Sequence, residues 1–367
     1  MSTVGGEFNE TLLLQTRDRA DRMMLDDRIK QQFIPKIAMY DYVRSLQTAS
    51  INAALNARSG KEYDVEVMWM NACEDFSMDD NSCALGTQEV STNTQTYKLE
   101  KRIVKGFAVY DYKFRDNEFN AEEAIAKSLL QIDKQISEEF TRHLVTRLDG
   151  FAGINQVGTA ENRLIDGNVT YIPPEEWTAE LMAYFSRVAI MNRFTNPVMV
   201  TGHNMYESMY VARAKQGDFD AGKDYVLWNG MPIWFDMFNM DSVLDDYTTF
   251  MVSQGAIAMA SKTWNPDAPF RSFDDIRYTM PSRFLNGMKY DVFYSNRCYP
   301  QQSADSTQYG AAAGYQKDTL LHQWKVVLTA DLFLNPFGCD ATEDDDDDIG
   351  GENSGVLKFV NGEADDS

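Results

Sequence analysis

The sequence predicts an α+β fold built around one long helix, and three observations carry that expectation. Ala121 to Leu148 places Ile125, Leu129, Ile132, Ile136, Phe140, Leu144 and Leu148 at spacings of three and four, which is one stripe of an α-helix. Glu62 to Met70 alternates Tyr63, Val65, Val67 and Trp69 against mostly polar neighbours, the pattern of a strand with one covered face. From Glu175 to about Ser261, short helical and strand patterns alternate with few breaks, so both element types share one block.

Residues 1–8 read as a loose arm. Glu10 to Leu55 is helical in propensity, with Leu12, Leu13, Met23, Met24, Ile29, Phe33 and Ile37 as apolar positions, and Pro35 must break or kink it. Asn56 to Gly60 reads as a turn. The strand over Glu62 to Met70 finds its mate in Thr94 to Tyr112, with the polar stretch Asn71 to Asn93 as an irregular tip. Such a ribbon is marginal alone in water, so it is expected to lie on something else, a neighbouring subunit being one candidate. The long helix opens with Asn120 as N-cap and Glu123 as the capping-box acid. It closes at Asp149-Gly150, with Gly150 placed as a left-handed C′ residue, and is roughly 42 Å long at 1.5 Å per residue.

Gly150 to Pro174 reads as a connector punctuated by Gly, Asn and Pro. A helix is predicted from Glu175 to Arg193 with Pro174 at its start, then a buried strand Pro197 to Thr201, then a helix Asn204 to Gln216. Tyr225 to Trp228, Asn229-Gly230 and Met231 to Phe235 form a hairpin signal. Phe250 to Ser253 is a strand, and Ala256 to Ala260 a small-residue helix or turn. Asp275 to Met280, Met288 to Ser295 and Gln323 to Phe333 are further strands. Glu343 to Asp348 is a pure acidic run in a tail expected to be largely disordered, where Val356 to Val360 is able to dock as a short strand.

With 44% hydrophobic and 12% aromatic residues, the 367-residue chain has ample material for a core. Its formal net charge of −22 repels nucleic acid and anionic membranes, which argues against a DNA-reading role. The opening residues lack a basic segment followed by an apolar one, so no signal peptide is expected. No apolar run reaches the ~20 residues a membrane helix needs, and a soluble chain made in the cytoplasm is expected. Cys73, Cys83, Cys298 and Cys339 are too scattered for a disulfide scaffold.

The sequence offers little for catalysis. His143, His203 and His322 fall in three different predicted elements. His143 lies near the edge of the helical stripe and reads as structural. His203 follows Gly202 where a strand gives way to a helix, a geometry able to bind anions and equally that of a helix-entry residue. No Walker loop, GxGxxG, GxSxG or HExxH occurs. Cys73 and Cys83 flank an acidic segment without a paired CxxC, so reduced thiols are expected rather than a zinc site. Asp344 to Asp348 lacks the glycine and terminal glutamate of a calcium loop. Trp228, Trp234, Trp264, Met231, Met237 and Met240 read as core and subunit interface. No catalytic, cofactor-binding or metal residues and no cofactor are expected, and the chain is not read as an enzyme.

The order of arm, acidic-tipped ribbon, long helix, α/β block and returning strands resembles the major capsid protein of tailed bacteriophages, the Hong Kong 97 fold, over about residues 25–335. Shared local texture includes Asn196 to Thr201 after a helix, the Asn229-Gly230-Met-Pro-Ile hairpin, and Met251-Val-Ser-Gln-Gly255-Ala. The resemblance implies an N-terminal arm with helices (1–56) and an extended β-ribbon loop lying over a neighbouring subunit (57–112). It implies a peripheral domain (113–174) with spine helix 121–148, and an axial domain (175–265) gathered around fivefold and sixfold axes. Peripheral strands (266–340) and an acidic tail (341–367) complete it. It further implies hexamers and pentamers building an icosahedral head around double-stranded DNA, bound without sequence specificity. Portal and scaffolding or head-decoration proteins are the implied partners, the virion the implied location, the host bacterial cytoplasm the place of assembly, and no membrane is involved.

Two departures stand out: no long scaffolding segment precedes the fold, and the acidic tail is not a general family feature. Lys61 or Lys101 is a candidate for a covalent cross-link, with a solvated lysine as the simpler expectation. Two alternatives are an encapsulin-like cellular shell and an α/β enzyme using the His203 region.

Overall fold

A computed structural model of the chain describes residues 15–47, 64–70, 92–110, 121–153, 164–166, 168–178, 180–206, 225–228, 230–244, 248–272, 275–301, 317–336 and 354–362. In chain order the helices are residues 15–23 (α1), Asp27–Phe33 (α2), Ala38–Leu46 (α3), Ala121–Gly150 (α4), Leu181–Met191 (α5) and Met237–Val243 (α6). The strands are β1 (Asp64–Met70), β2 (Thr92–Lys98), β3 (Arg102–Tyr110), β4 (Leu164–Asp166), β5 (Val169–Ile172), β6 (Val198–Thr201), β7 (Tyr225–Trp228) and β8 (Met231–Phe235). They continue with β9 (Thr248–Val252), β10 (Ile257–Ser261), β11 (Phe270–Ser272), β12 (Asp275–Pro281), β13 (Lys289–Gln301), β14 (Lys317–Leu334) and β15 (Val356–Asn361).

The chain divides into two compact units. The first comprises Met1–Pro35, Arg102–Glu139 and Thr263–Thr329, and the second Lys36–Lys101, Phe140–Lys262 and Ala330–Ser367. In the first unit β11, β12, β13, β14 and β3 lie side by side in that order, all antiparallel. Its helices meet at Ala20, Met23, Phe33, Ala126 and Leu130, with Met24 and Phe284 packed against them. Pro35 lies between α2 and α3, where the sequence required a break.

The second unit holds a mixed sheet in the order β4-β5-β15-β9-β6-β8-β7. One face of α5 fills it: Leu181, Met182, Phe185 and Val188 join Met199, Ile233, Met251, Leu357 and Phe359 in one buried cluster. The β7–β8 hairpin forms as the Asn-Gly signal predicts, with Gly230 at φ +85°, a conformation that favours glycine. The predicted stripe of α4 is buried along its whole length, Ile125, Leu129, Ile132 and Ile136 in the first unit and Phe140, Leu144 and Leu148 in the second.

Several expectations need correction. The predicted mate of the first ribbon strand is two strands. Only β2 pairs with β1; Leu99 then drops into the cluster of Val65, Val67 and Trp69, and β3 pairs with β14 instead. The change of partner is fixed at the backbone: Glu100 N donates to Asp331 Oδ2 at 3.1 Å, and Ala330 N donates to Lys101 O at 3.2 Å. The covered face of the described ribbon also needs no neighbouring subunit. Val65, Val67 and Trp69 pack on Ala258, Ala260 and Phe333 of the same unit.

That contact explains a second error. Ala256 to Ala260 looks like a small-residue helix or turn, yet Ile257–Ser261 is strand β10, paired with Ala330 to Leu334. Its alanines are small because the ribbon lies directly on them.

The predicted helix Glu175 to Arg193 is shorter than expected. Pro174–Glu176 makes one 3₁₀ turn, Trp177 leaves helical geometry and donates Nε1–H to Ile172 O at 3.1 Å, and α5 starts at Leu181. The connector Gly150 to Pro174 contains the β4–β5 hairpin, and α6 was not anticipated. Gly150 is not a left-handed cap: α4 runs through it, and Phe151 N and Ala152 N donate to Leu148 O and Asp149 O. Val356 to Val360 does dock as a strand, as the sequence allowed: β15 is interior to its sheet, parallel to β5 and antiparallel to β9, with Val356, Leu357 and Phe359 fully buried. The N-cap Asn120, residues 207–216 of the third predicted helix, residues 71–91 of the ribbon tip and the acidic run Glu343 to Asp348 lie outside the described residues.

Candidate functional site

The three histidines are each committed to a fold contact. On α4 the i, i+4 pair His143 and Arg147 projects from one helix face toward Asp331 of β14. His143 Nε2 lies 2.9 Å from Asp331 Oδ1 and Arg147 Nε 3.2 Å from the same oxygen. Leu332 N donates to Oδ1 at 2.8 Å and Glu100 N to Oδ2 at 3.1 Å. Burial pushes the Asp331 carboxyl up, but the donors from His143 and Leu332 and the Arg147 charge overcome it and hold the group below the usual carboxylate range.

His322 on β14 is buried, its Nδ1 2.7 Å from Tyr294 Oη, with its ring stacked near that of Trp324. Burial raises the Tyr294 hydroxyl far above its ordinary range, so the phenol keeps its proton. His203 opens the 3₁₀ turn His203–Met205, and its Nδ1 lies 2.8 Å from Asp241 Oδ2. A carboxylate already occupies the position where an anion would sit.

Among the described residues no group of three His, Cys, Asp or Glu side chains is placed to hold a metal ion. The side chain of Cys298 and all of Cys73, Cys83, Cys339 and Lys61 lie outside the described residues. Lys101 sits between β2 and β3 rather than in the ribbon ladder. Met231 and Met240 belong to the core as expected, Trp234 is half-buried, and Met237 and Trp264 are exposed.

Sequence reasoning missed the buried carboxylates, Asp331 and two others of note among them. In the first unit Asp133 of α4 accepts from Tyr290 Oη at 2.6 Å, Ser282 Oγ at 2.8 Å and Arg283 N at 2.9 Å. Arg283 also reaches Asp21 of α1 at 2.8 Å, so this loop ties two helices together. Burial raises the Asp133 carboxyl above its ordinary value despite those donors. In the second unit Asp236 accepts from Met39 N and from Asn239 N. For Asp236 the available signal was an aspartate inside an apolar run, Trp234-Phe-Asp-Met, whereas Asp133 in Gln131-Ile-Asp-Lys carries no such mark. All these carboxylates are filled by protein donors and act as joints of the fold.

No described helix is long and apolar enough to cross a membrane. No protein-family profile and no curated protein matches the chain. Among solved structures, it is similar to one from Mycobacterium phage Che8 at 11% identity and TM-score 0.43, covering 86% of this chain and 90% of that one. It is similar to the capsid structure of cyanophage P-SCSP1u at 8% identity and TM-score 0.45, covering 87% and 90%. It is likewise similar to the capsid asymmetric unit of cyanophage Pam1 at 9% identity and TM-score 0.47, covering 87% and 88%.

Proposed function

We propose that this chain is a major capsid protein of the Hong Kong 97 type, assembling as hexamers and pentamers into an icosahedral head around double-stranded DNA. The observation that supports this reading is the order of elements. The β1–β2 ribbon and β3 lead into the 30-residue helix α4, a sheet-and-helix unit follows, and strands of 13 and 18 residues return, the longer one beside β3. In this reading residues 1–56 form the arm, the β1–β2 ribbon is the extended loop, and α4 is the spine of a peripheral domain that includes β3 and β11 to β14. Residues 175–265 form the axial domain, which takes β15 from the tail 341–367 as one of its strands.

The physics agrees with a shell subunit. Repeated heterologous contacts between copies close into symmetric assemblies. A net charge of −22 lets packaged DNA crowd against the protein without sticking. The His203 region gives the enzyme alternative little support, because its imidazole is engaged with Asp241.

The test is assembly. The full chain, expressed alone and together with the genes flanking its own, is followed by sedimentation and negative-stain microscopy. Closed shells, or hexamers and pentamers, are expected; a chain that stays monomeric at high concentration in both settings overturns the reading.

A further inference from the structure

The cross-strand register of the first unit places Arg277, Phe293, Lys325 and Gly106 in one row across β12, β13, β14 and β3. The Arg277 guanidinium lies 5.6 Å from the centre of the Phe293 ring and the Lys325 ammonium 5.4 Å from it. At the end of the row Gly106 has no side chain and has no room for one: a Cβ there would stand 2.8 Å from Trp324 O. With Ala108 and Ser295 as small neighbours, the sheet surface sinks into a groove of about 570 Å³. Arg277, Lys325 and Ala108 are exposed, and among the described residues neither cation is ion-paired. On a chain of net charge −22, two unpaired cations flanking an aromatic ring are a local exception.

We propose that this groove seats an acidic stretch from the surface of a second copy of this chain. The argument is charge complementarity. Each copy carries 56 acidic against 34 basic side chains, so the surface a neighbour offers is predominantly negative. The two charged heads flank the Phe293 ring on side chains that are themselves exposed, so a carboxylate can still approach them, and the glycine and alanine floor leaves depth for a side chain to enter. Single-stranded nucleic acid also uses aromatic and cationic platforms. Asp275 in the groove lining opposes the unbroken row of phosphates of a nucleic acid more than it opposes a short acidic stretch of protein. The proposal rests on the capsid reading only in requiring that copies meet.

The test compares the wild-type chain with the double variant Arg277→Glu/Lys325→Glu and with Ala108→Leu, which fills the groove without changing charge. Self-association is measured by analytical ultracentrifugation at low salt and at 1 M salt, with circular dichroism and thermal melting to verify folding. The double variant is expected to associate roughly tenfold more weakly at low salt, the difference fading at 1 M, where the Debye length is about 3 Å. Ala108→Leu is expected to weaken association at both salts. Equal association of folded wild type and both variants overturns the groove and leaves the capsid reading standing. A wild type that never associates overturns both. Retention on single-stranded DNA that the double variant alone loses, with self-association unchanged, overturns the groove in favour of nucleic acid.

Discussion

Asp236 holds the starts of two helices at once: its Oδ2 accepts from Met39 N in α3 at 2.8 Å, and its Oδ1 from Asn239 N in α6 at 2.9 Å. The two segments are far apart in sequence, and this one buried side chain closes both. A single N-cap contributes roughly 0.5–2 kcal/mol, and orphaned buried donors add to its loss. Asp236→Ala should therefore cost about 3 kcal/mol in denaturant unfolding. Asp236→Asn, which keeps one acceptor oxygen, should cost less. Equal unfolding midpoints for wild type and the alanine variant would show that the shared cap is not worth what its geometry suggests.

Asp331 sets an acid limit on the second unit. Its carboxyl is held below the usual range in the fold, so it contributes stability that is present above the unfolded value of about 3.9 and lost as pH falls through the lower folded value. Asp331→Asn should lower stability at neutral pH by about 2 kcal/mol, because His143 and Arg147 lose their shared partner. The variant should also show a flatter fall in melting temperature below about pH 4 than the wild type. Parallel curves for the two proteins would remove Asp331 from the acid transition.

Asp133 works with the opposite sign. Burial raises its carboxyl, so the folded chain binds that proton more tightly than the unfolded chain and stability declines as pH rises through the folded value. Tyr290 supplies one of the donors that limits the rise, at 2.6 Å. Tyr290→Phe should push Asp133 higher still and cost about 1–3 kcal/mol at neutral pH. The deficit should shrink on acidification toward pH 4. A deficit independent of pH would mean that only packing was lost.

Local periodicity made α4, the β7–β8 hairpin, β6 and most of β12 to β14 legible from sequence, because each pattern reports a burial that the element satisfies by itself. The errors share a different cause. Whether Ile257–Ser261 is a helix or strand depends on the ribbon that covers Ala258 and Ala260, and where the run after Thr92 changes partner depends on Asp331 and Ala330, over two hundred residues away. Partners that distant leave no mark on a local pattern. The buried carboxylates were overlooked for the same reason. Asp133 reads as a polar interruption of the helix until Ser282, Arg283 and Tyr290 come into reach.

The strand β15 offers the sharpest test, since it lies near the chain's end in sequence but within the interior of its sheet. Val356, Leu357, Phe359 and Val360 are buried, and both edges of the strand are hydrogen-bonded, to β5 on one side and β9 on the other. Burying a large apolar side chain is worth about 1.5–3 kcal/mol, so four of them approach the 5–15 kcal/mol that holds a typical domain together. Ending the chain after residue 353 should leave the second unit without a sheet that closes, giving insoluble protein or rapid proteolysis between residues 140 and 262. Phe359→Ala, which removes a ring 4.8 Å from Phe185, should cost about 3–5 kcal/mol while leaving the chain soluble. A truncation at 353 that melts like the full chain would show that β15 is dispensable to the sheet, and that β5 and β9 find another way to satisfy their facing edges.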